Sequence, residues 1–318
     1  MKRVNVILTT YNGEKYLPIL LDSLLAQTYE NIAVYVRDDG SSDHTPEILE
    51  RYEQKQGEHV SIHVLRDSLG NLGYVKNFIY TLQQSEDADY YAFCDQDDYW
   101  LPDKIANAVE MLEKRPAEQC LLYSCAYEAR DENLNLISKG KIPTSFDKLD
   151  VGKALSLYDG GWLLGFTLVM NRTLKEQAFS FTYQGIMYSH DIWTQAVAVG
   201  FQGELIVDPR VGAYFRRHES ATSIAESGVS NSAFTAWKYR LDELLGKGKL
   251  FTQLNGGVCL YNELFAEQMV RERDRKFLKV FGSAPGKHRI KKLLYPHRLK
   301  QSLVVEIAWR IAILLGRI

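Results

Sequence analysis

Tyr90-Tyr91-Ala92-Phe93-Cys94-Asp95-Gln96-Asp97-Asp98-Tyr99-Trp100 decides how the rest of this 318-residue chain is read. The first five residues are apolar and rich in β-formers, as in a buried strand. Three carboxylates then crowd one short loop. Their mutual repulsion is costly unless a cation or hydrogen-bond donors offset it. Oxygen-only ligands suit a hard ion, Mg²⁺ or Mn²⁺, with coordination positions left for phosphate oxygens. The plainer reading is an acidic surface turn that caps a helix, since Asp98 and Asp103 both stand near the next helix start. Tyr99 and Trp100 make an unusual plain turn, which favours the cation or phosphate.

Working back from this loop, the same pattern recurs twice. Val4-Asn5-Val6-Ile7-Leu8 reads as a strand and runs into the polar cluster Thr9 to Glu14. Ile32-Ala33-Val34-Tyr35-Val36 is a second strand and ends in Asp38-Asp39-Gly40-Ser41-Ser42-Asp43. Val60 to Leu65 is a third. Between them, Tyr16, Leu17, Leu20, Leu21, Leu24 and Leu25 recur at helical spacing. Thr45-Pro46 opens a helix to about Lys55. Helices are also predicted from Tyr74 to about Gln84 and from Pro102 to Lys114. Such alternation implies right-handed crossovers and a largely parallel sheet. Ligands bind such sheets at the carboxyl ends of the strands. The three polar clusters should therefore meet in one crevice.

Working forward, strands are predicted at 121–124 and 163–170 and a helix at 191–199. Two short strands follow, at 205–207 and 213–215. Residues 232–281 turn helical, with Leu241, Leu244 and Leu245 spaced for one packed face, and Ser283 to Gly286 reads as a linker.

Several side chains are candidates for chemistry. Asp38 and Asp39 can accept from a base N–H or ribose hydroxyls, or simply shape an Asp-Gly turn. Tyr11 can stack on a base or fill the core. Glu14 lies within reach of a ribose. Gly70-Asn71-Leu72-Gly73 precedes a helix bearing Lys76, and helix N-terminal amides favour phosphate. Asp191, in Ser189-His190-Asp191-Ile192-Trp193, reads equally as a helix cap or as a general base. Arg216-Arg217-His218 suits a diphosphate or the completion of a metal site, or is ordinary surface charge.

Composition narrows the class. With 46% apolar and 25% charged residues, the chain is neither disordered nor a fibrous repeat. A net charge of −2 argues against nucleic acid as partner. That sum conceals a basic tail: residues 271–318 hold 13 Lys/Arg against 3 Asp/Glu. Cys94, Cys120, Cys125 and Cys259 form no C-x-x-C pair and read as reduced, buried thiols. Met1-Lys2-Arg3 leads directly into the first strand, so no secretory signal is expected. Leu303 to Leu315 is apolar, interrupted by Glu306 and Arg310, and too short for a span. With the basic residues before it, it reads as an in-plane membrane anchor. The alternatives are a helix packed on the domain and a homodimer contact.

Together, Val6 to Gly13, Arg37 to Thr45 and Phe93 to Trp100 resemble family 2 inverting glycosyltransferases over roughly residues 2–220. Asp95-Gln96-Asp97-Asp98-x-Trp100 is similar to bacterial rhamnosyltransferases of cell-wall and capsular polysaccharide synthesis. The resemblance implies an α/β fold: a GT-A type, Rossmann-like nucleotide-sugar-binding domain with a mixed central sheet, plus a helical C-terminal region. The catalytic domain would cover 1–225, with a nucleotide-sugar half over about 1–115 and an acceptor half over about 116–225; residues 226–318 would form the helical part. Thr9, Tyr11 and Asp39, with Asp38 nearby, would hold the pyrimidine base, and Glu14 would lie near the ribose. On the residue readings above, Asn71, Lys76 and Arg217 join Asp95 as expected nucleotide-sugar contacts. Asp95, Asp97 and His218 would hold Mn²⁺ or Mg²⁺, Asp97 being favoured as direct ligand, and Asp191 would be the catalytic base.

The implied partners are a nucleotide diphospho-sugar, with dTDP-rhamnose favoured, and a lipid-linked glycan acceptor. The implied place is the cytoplasmic face of the cell membrane. A UDP-hexose transferase and a non-catalytic sugar-nucleotide-binding subunit are the rival readings. The Gln-x-x-Arg-Trp motif of processive members is missing, which implies addition of one sugar or a few.

Overall fold

The computed structural model describes residues 1–55, 57–140, 149–155, 163–182, 189–218, 250–283, 286–297, 299 and 303–316. They fall into two compact units. The first takes the described parts of Met1–Thr144, Leu163–Gly185 and Gln202–Arg216, and the second those of Ser145–Trp162, Ile186–Phe201 and Arg217–Ile318. The domain boundary expected near residue 225, the helical start at 232 and the Leu241–Leu244–Leu245 face lie outside the described residues.

The first unit is a sheet with helices. Its strands are β1 (Val4–Thr10), β2 (Ile32–Asp38), β3 (Val60–Val64), β4 (Tyr90–Asp95), β5 (Tyr99–Trp100), β6 (Leu121–Arg130), β7 (Leu136–Lys139), β8 (Leu168–Asn171) and β9 (Glu204–Arg216). Its helices are α1 (Leu17–Leu25), α2 (Thr45–Lys55), α3 (Tyr74–Gln84), α4 (Lys104–Leu112) and α6 (Arg172–Phe179); α5 (Val151–Leu155) and α7 (His190–Gly200) belong to the second unit. The order is β3-β2-β1-β4-β8-β6-β9-β5, with β7 beside β6. β3, β2, β1 and β4 run parallel, as the alternation predicted. Beyond β4 the sheet is mixed: β8 is antiparallel to β4 and β6, whereas β6 and β9 are parallel.

The parallel half is explained by its apolar runs. Val4, Val6, Ile7 and Leu8 of β1 are fully buried, as expected for a strand covered on both faces. Leu17, Leu20, Leu21 and Leu24 of α1 and Ile105, Ala108, Val109 and Leu112 of α4 join the same core cluster. Phe78, Phe93 and Phe179 form a further edge-to-face chain. Chain order reverses between β1 and β4, the place where such sheets open a crevice. Register sets Thr10 beside Asp38 and Thr9 beside Asp95.

Two expectations are corrected. The two short strands at 205–207 and 213–215 are one strand, β9, whose pairing with β6 shifts register around Cys125 to Tyr127. Pro209 and Gly212 interrupt the apolar pattern there without ending the strand, as at a β-bulge. The strand expected over 163–170 is shorter, because Gly165–Thr167 forms a 3-10 turn before β8.

In the second unit α5 and α7 pack with α8 (Leu250–Phe265) and α9 (Glu272–Phe281). The Asp274 carboxylate accepts from Val151 N–H at 2.9 Å. The Tyr261 hydroxyl donates to Ala196 O at 3.2 Å, and Trp193 packs on Tyr261 and Phe265. Residues 116–225 are thus shared between the units. Two short helices follow, α10 (Arg289–Leu293) and α11 (Leu303–Leu314). Among the described residues no helix is long and apolar enough to cross a membrane.

Candidate active site

The three polar clusters of the first unit do meet. The Gln96 carboxamide accepts from Tyr11 N–H at 2.8 Å and donates to Tyr11 O at 3.0 Å. This reciprocal pair ties the loop after β1 to the acidic loop after β4. A Cβ at Gly13 would lie 2.4 Å from Gln96 Oε1, so a larger residue there would push the Gln96 side chain out of this pair. Asn12, with φ +47°, accepts from Ser42 N–H at 2.9 Å, and its own N–H donates to Ser41 Oγ at 2.8 Å. Asn12 therefore joins the two loops rather than capping α1. With its backbone held, Tyr11 is 50% exposed just beyond the carboxyl end of β1. Thr9 sits beside Asp95 in the sheet.

The two acids after β2 are engaged within the chain. Asp38 accepts from the hydroxyls of Thr10 (2.8 Å) and Ser41 (2.5 Å) and from the N–H of Ser41 (2.8 Å). Asp39 is buried and accepts from Arg37, Leu72 N–H and Gly73 N–H at 2.8, 2.7 and 2.8 Å. Arg37, itself 2% exposed, also makes a two-pronged pair with Asp67 (2.8 and 3.0 Å) and donates to Gly70 O and Asn77 Oδ1. Its hydrogen bonds to Asp67 and then Asp39 raise its pKa against the effect of burial. This hub fixes the Gly70–Gly73 loop that opens α3. Asn71 donates to Asp39 O at 3.0 Å, and Lys76 is exposed on α3. Glu14 pairs with His44 at 2.7 Å; the His44 backbone N–H and ring lower its pKa.

Asp95 and Asp97 are half-buried, whereas Asp98 is fully buried. Asp98 Oδ1 accepts from Arg216 N–H at 3.3 Å, and Oδ2 finds no donor among the described residues. Burial, then the charges of Asp97 and Asp95, hold the Asp98 carboxyl well above the usual carboxylate range. Asp95 and Asp97 are left as the half-buried oxygen donors of the loop, a donor type that suits a hard divalent cation. Among the described residues no group of three or more His, Cys, Asp or Glu is arranged to hold a metal.

Arg216 is 1% exposed and serves its own chain: Nε donates to Asp97 O at 2.9 Å, a terminal nitrogen donates to Glu132 O at 3.1 Å, and the guanidinium lies 4.7 Å from the Tyr16 ring centroid. β5 pairs with β9 at Tyr99–Tyr214 and Trp100–Ala213, which closes the acidic turn. Beneath it the buried Lys104 ammonium sits 3.5 Å from the Trp100 ring centroid, and burial lowers its pKa.

Asp191 lies in the second unit, in the first turn of α7. Its Oδ1 accepts from the Ser189 hydroxyl and from Ile192 N–H (2.7 Å). His190 beside it is buried, which pulls its pKa down to about 4 against the opposing charge of Asp191. Arg217 is exposed and His218 is 8% exposed.

Residues 5–192 match the family model for glycosyl transferase family 2. The chain belongs to that family. An uncharacterized glycosyltransferase of Rickettsia typhi is 28% identical over 215 residues, 65% of this chain and 64% of the relative. The dTDP-rhamnosyl transferase RfbG of Shigella flexneri is 32% identical over 142 residues, covering 44% of this chain and 48% of RfbG. The chain thus spans less than two thirds of the length of either relative. The crystal structure of S. aureus TarS 1-349 in complex with UDP-GlcNAc has TM-score 0.57 at 18% identity, covering 98% of this chain and 79% of that one. The fold is the GT-A type α/β arrangement, with a mixed central sheet and helices.

Arg37 and Lys104 of this family 2 chain carry signals in the sequence that the motifs above leave unused. Arg37 ends an otherwise apolar strand run, which calls for buried partners. Lys104 shares the apolar face of α4 with Ala108 and Leu112. Gln96 and Arg216 stand within motifs already singled out, but their contacts need the folded chain.

Proposed function

We propose that the chain is an inverting glycosyltransferase that moves L-rhamnose from dTDP-rhamnose to a hydroxyl of a lipid-linked or polysaccharide acceptor in cell-surface glycan assembly, at the cytoplasmic face of the membrane. The observation that carries this reading is the joining of three strand-end clusters at the carboxyl ends of β1, β2 and β4. The similarity to RfbG supports the rhamnosyl donor.

In this reading Thr9, Tyr11, Asp38 and Asp39 frame the base, and Glu14 the ribose. Asn71, Lys76 and Arg217 face the phosphates. Asp95 and Asp97, with His218, would be the residues to hold Mn²⁺ or Mg²⁺, which would supply positive charge for the departing diphosphate. The acceptor oxygen forms a bond to the anomeric carbon while the bond from that carbon to the diphosphate oxygen breaks. The hydroxyl proton passes to the Asp191 carboxylate. One displacement inverts the centre. Ser189 Oγ–H and Ile192 N–H donate to one Asp191 oxygen and hold the carboxylate in the first turn of α7.

The test is Asp191→Asn. Donor binding should persist within a few-fold while transfer falls by about 10²-fold or more. Near-native turnover would remove Asp191 from the base role, and a product retaining the donor's anomeric configuration would refute the single displacement.

A further inference from the structure

The tail helix turns its charges inward. Glu306 is 5% exposed; it accepts from Leu299 N–H at 3.0 Å and from Arg310 Nε at 2.9 Å. Arg310 in turn donates to Leu293 O and, at 3.0 Å, to Tyr295 O. Trp309, Ala312 and Ile313 are buried on the same side. What faces outward is apolar: Leu303, Ile307, Ile311 and Leu314 are 62, 52, 43 and 54% exposed. Their spacing of four, four and three residues makes one stripe along the helix. Ile290 of α10, which packs with α11, and Leu294 just after it are 74 and 72% exposed. Exposed apolar side chains gathered on two helices in contact mark an interaction site.

Charge selects the partner. Lys287, Arg289 and Lys291 are exposed beside Ile290, and over described residues 286–316 the one acid, Glu306, is buried. A second copy meeting the same face about a two-fold axis would bring like charges together. An anionic lipid surface accepts both features at once, since apolar side chains enter the acyl boundary and ammonium and guanidinium groups meet the head groups.

We infer that the α10–α11 face, through Ile290, Leu294, Ile307 and Ile311 with Lys287 and Lys291, docks the protein on an anionic bilayer. This deepens the membrane-side reading above. Its test uses neither donor nor acceptor, so it can fail while transfer stands, and the reverse.

The experiment is flotation of the full chain with phosphatidylcholine vesicles and with vesicles containing phosphatidylglycerol. The chain should bind the anionic vesicles at least tenfold more strongly than the neutral ones. Ile307→Glu with Ile311→Glu should cut that binding at least tenfold while leaving the thermal midpoint unchanged, because both positions are exposed. Lys287→Glu with Lys291→Glu should remove the anionic preference. Equal binding to both vesicles, or unchanged binding by the isoleucine variant, overturns the inference. So does a wild-type dimer in sedimentation velocity that the same variant dissociates.

Discussion

Arg37→Ala should cost far more than the loss of one surface cation. The side chain is buried, and its partner Asp39 is 4% exposed. Truncation strands that carboxylate, frees the Asp67 pair and leaves Gly70 O and Asn77 Oδ1 without their shared donor. Breaking a buried pair by removing one partner costs about 3–5 kcal/mol. For a protein of this size that lowers the thermal midpoint by on the order of 10 °C. Denaturant unfolding with tryptophan fluorescence would read the loss, with the slope against denaturant unchanged. Adding Asp39→Asn should recover part of it, because the stranded charge is then gone. Donor affinity should fall too, since the Leu72 and Gly73 amides are held through Asp39. A variant within about 1 kcal/mol of wild type, or a double variant at the sum of its singles, would refute the reasoning.

Two further outcomes follow from burial. His190, its pKa pulled down to about 4, is neutral in the folded chain. Unfolding therefore takes up a proton as pH falls below about 6.5, and stability drops by about 1.4 kcal/mol per pH unit down to about pH 4. His190→Gln should flatten that window in urea titrations, and an unchanged slope would contradict the assignment. Cys94, Cys120 and Cys125 are buried, with thiol pKa values raised by desolvation, that of Cys120 to about 11. At pH 8 iodoacetamide should label them at least tenfold more slowly before unfolding than after, because the thiolate is the nucleophile. Rapid native labelling of Cys94 would disprove the packing.

What the sequence showed and what it hid follow from the range of the interactions. The parallel half was legible because apolar runs and helical spacing are local: α2 and α3 match their expected spans, and β1, β2 and β4 merely extend further. β5 has two residues, and all four residues of β7 are exposed, so neither carries a local pattern. The bulged β9 hid behind Pro209 and Gly212. At the site the strand-end clusters were visible, but not the division of labour inside them. Asp39 binds Arg37 and Asp98 meets Arg216, partners 2 and 118 residues away. In α11 the sequence shows an apolar stretch interrupted by Glu306 and Arg310, yet only the fold shows that both face inward.

The central claim is a donor site at the carboxyl ends of β1, β2 and β4. Calorimetry with dTDP-rhamnose, UDP-glucose, UDP-galactose and UDP-N-acetylglucosamine, each with Mn²⁺, Mg²⁺ or EDTA, tests it most directly. Selective binding of dTDP-rhamnose is expected, abolished by EDTA and weakened at least tenfold by Asp97→Asn. Preference for a UDP-hexose would overturn the rhamnosyl assignment, and no binding of any donor would contradict the transferase reading itself.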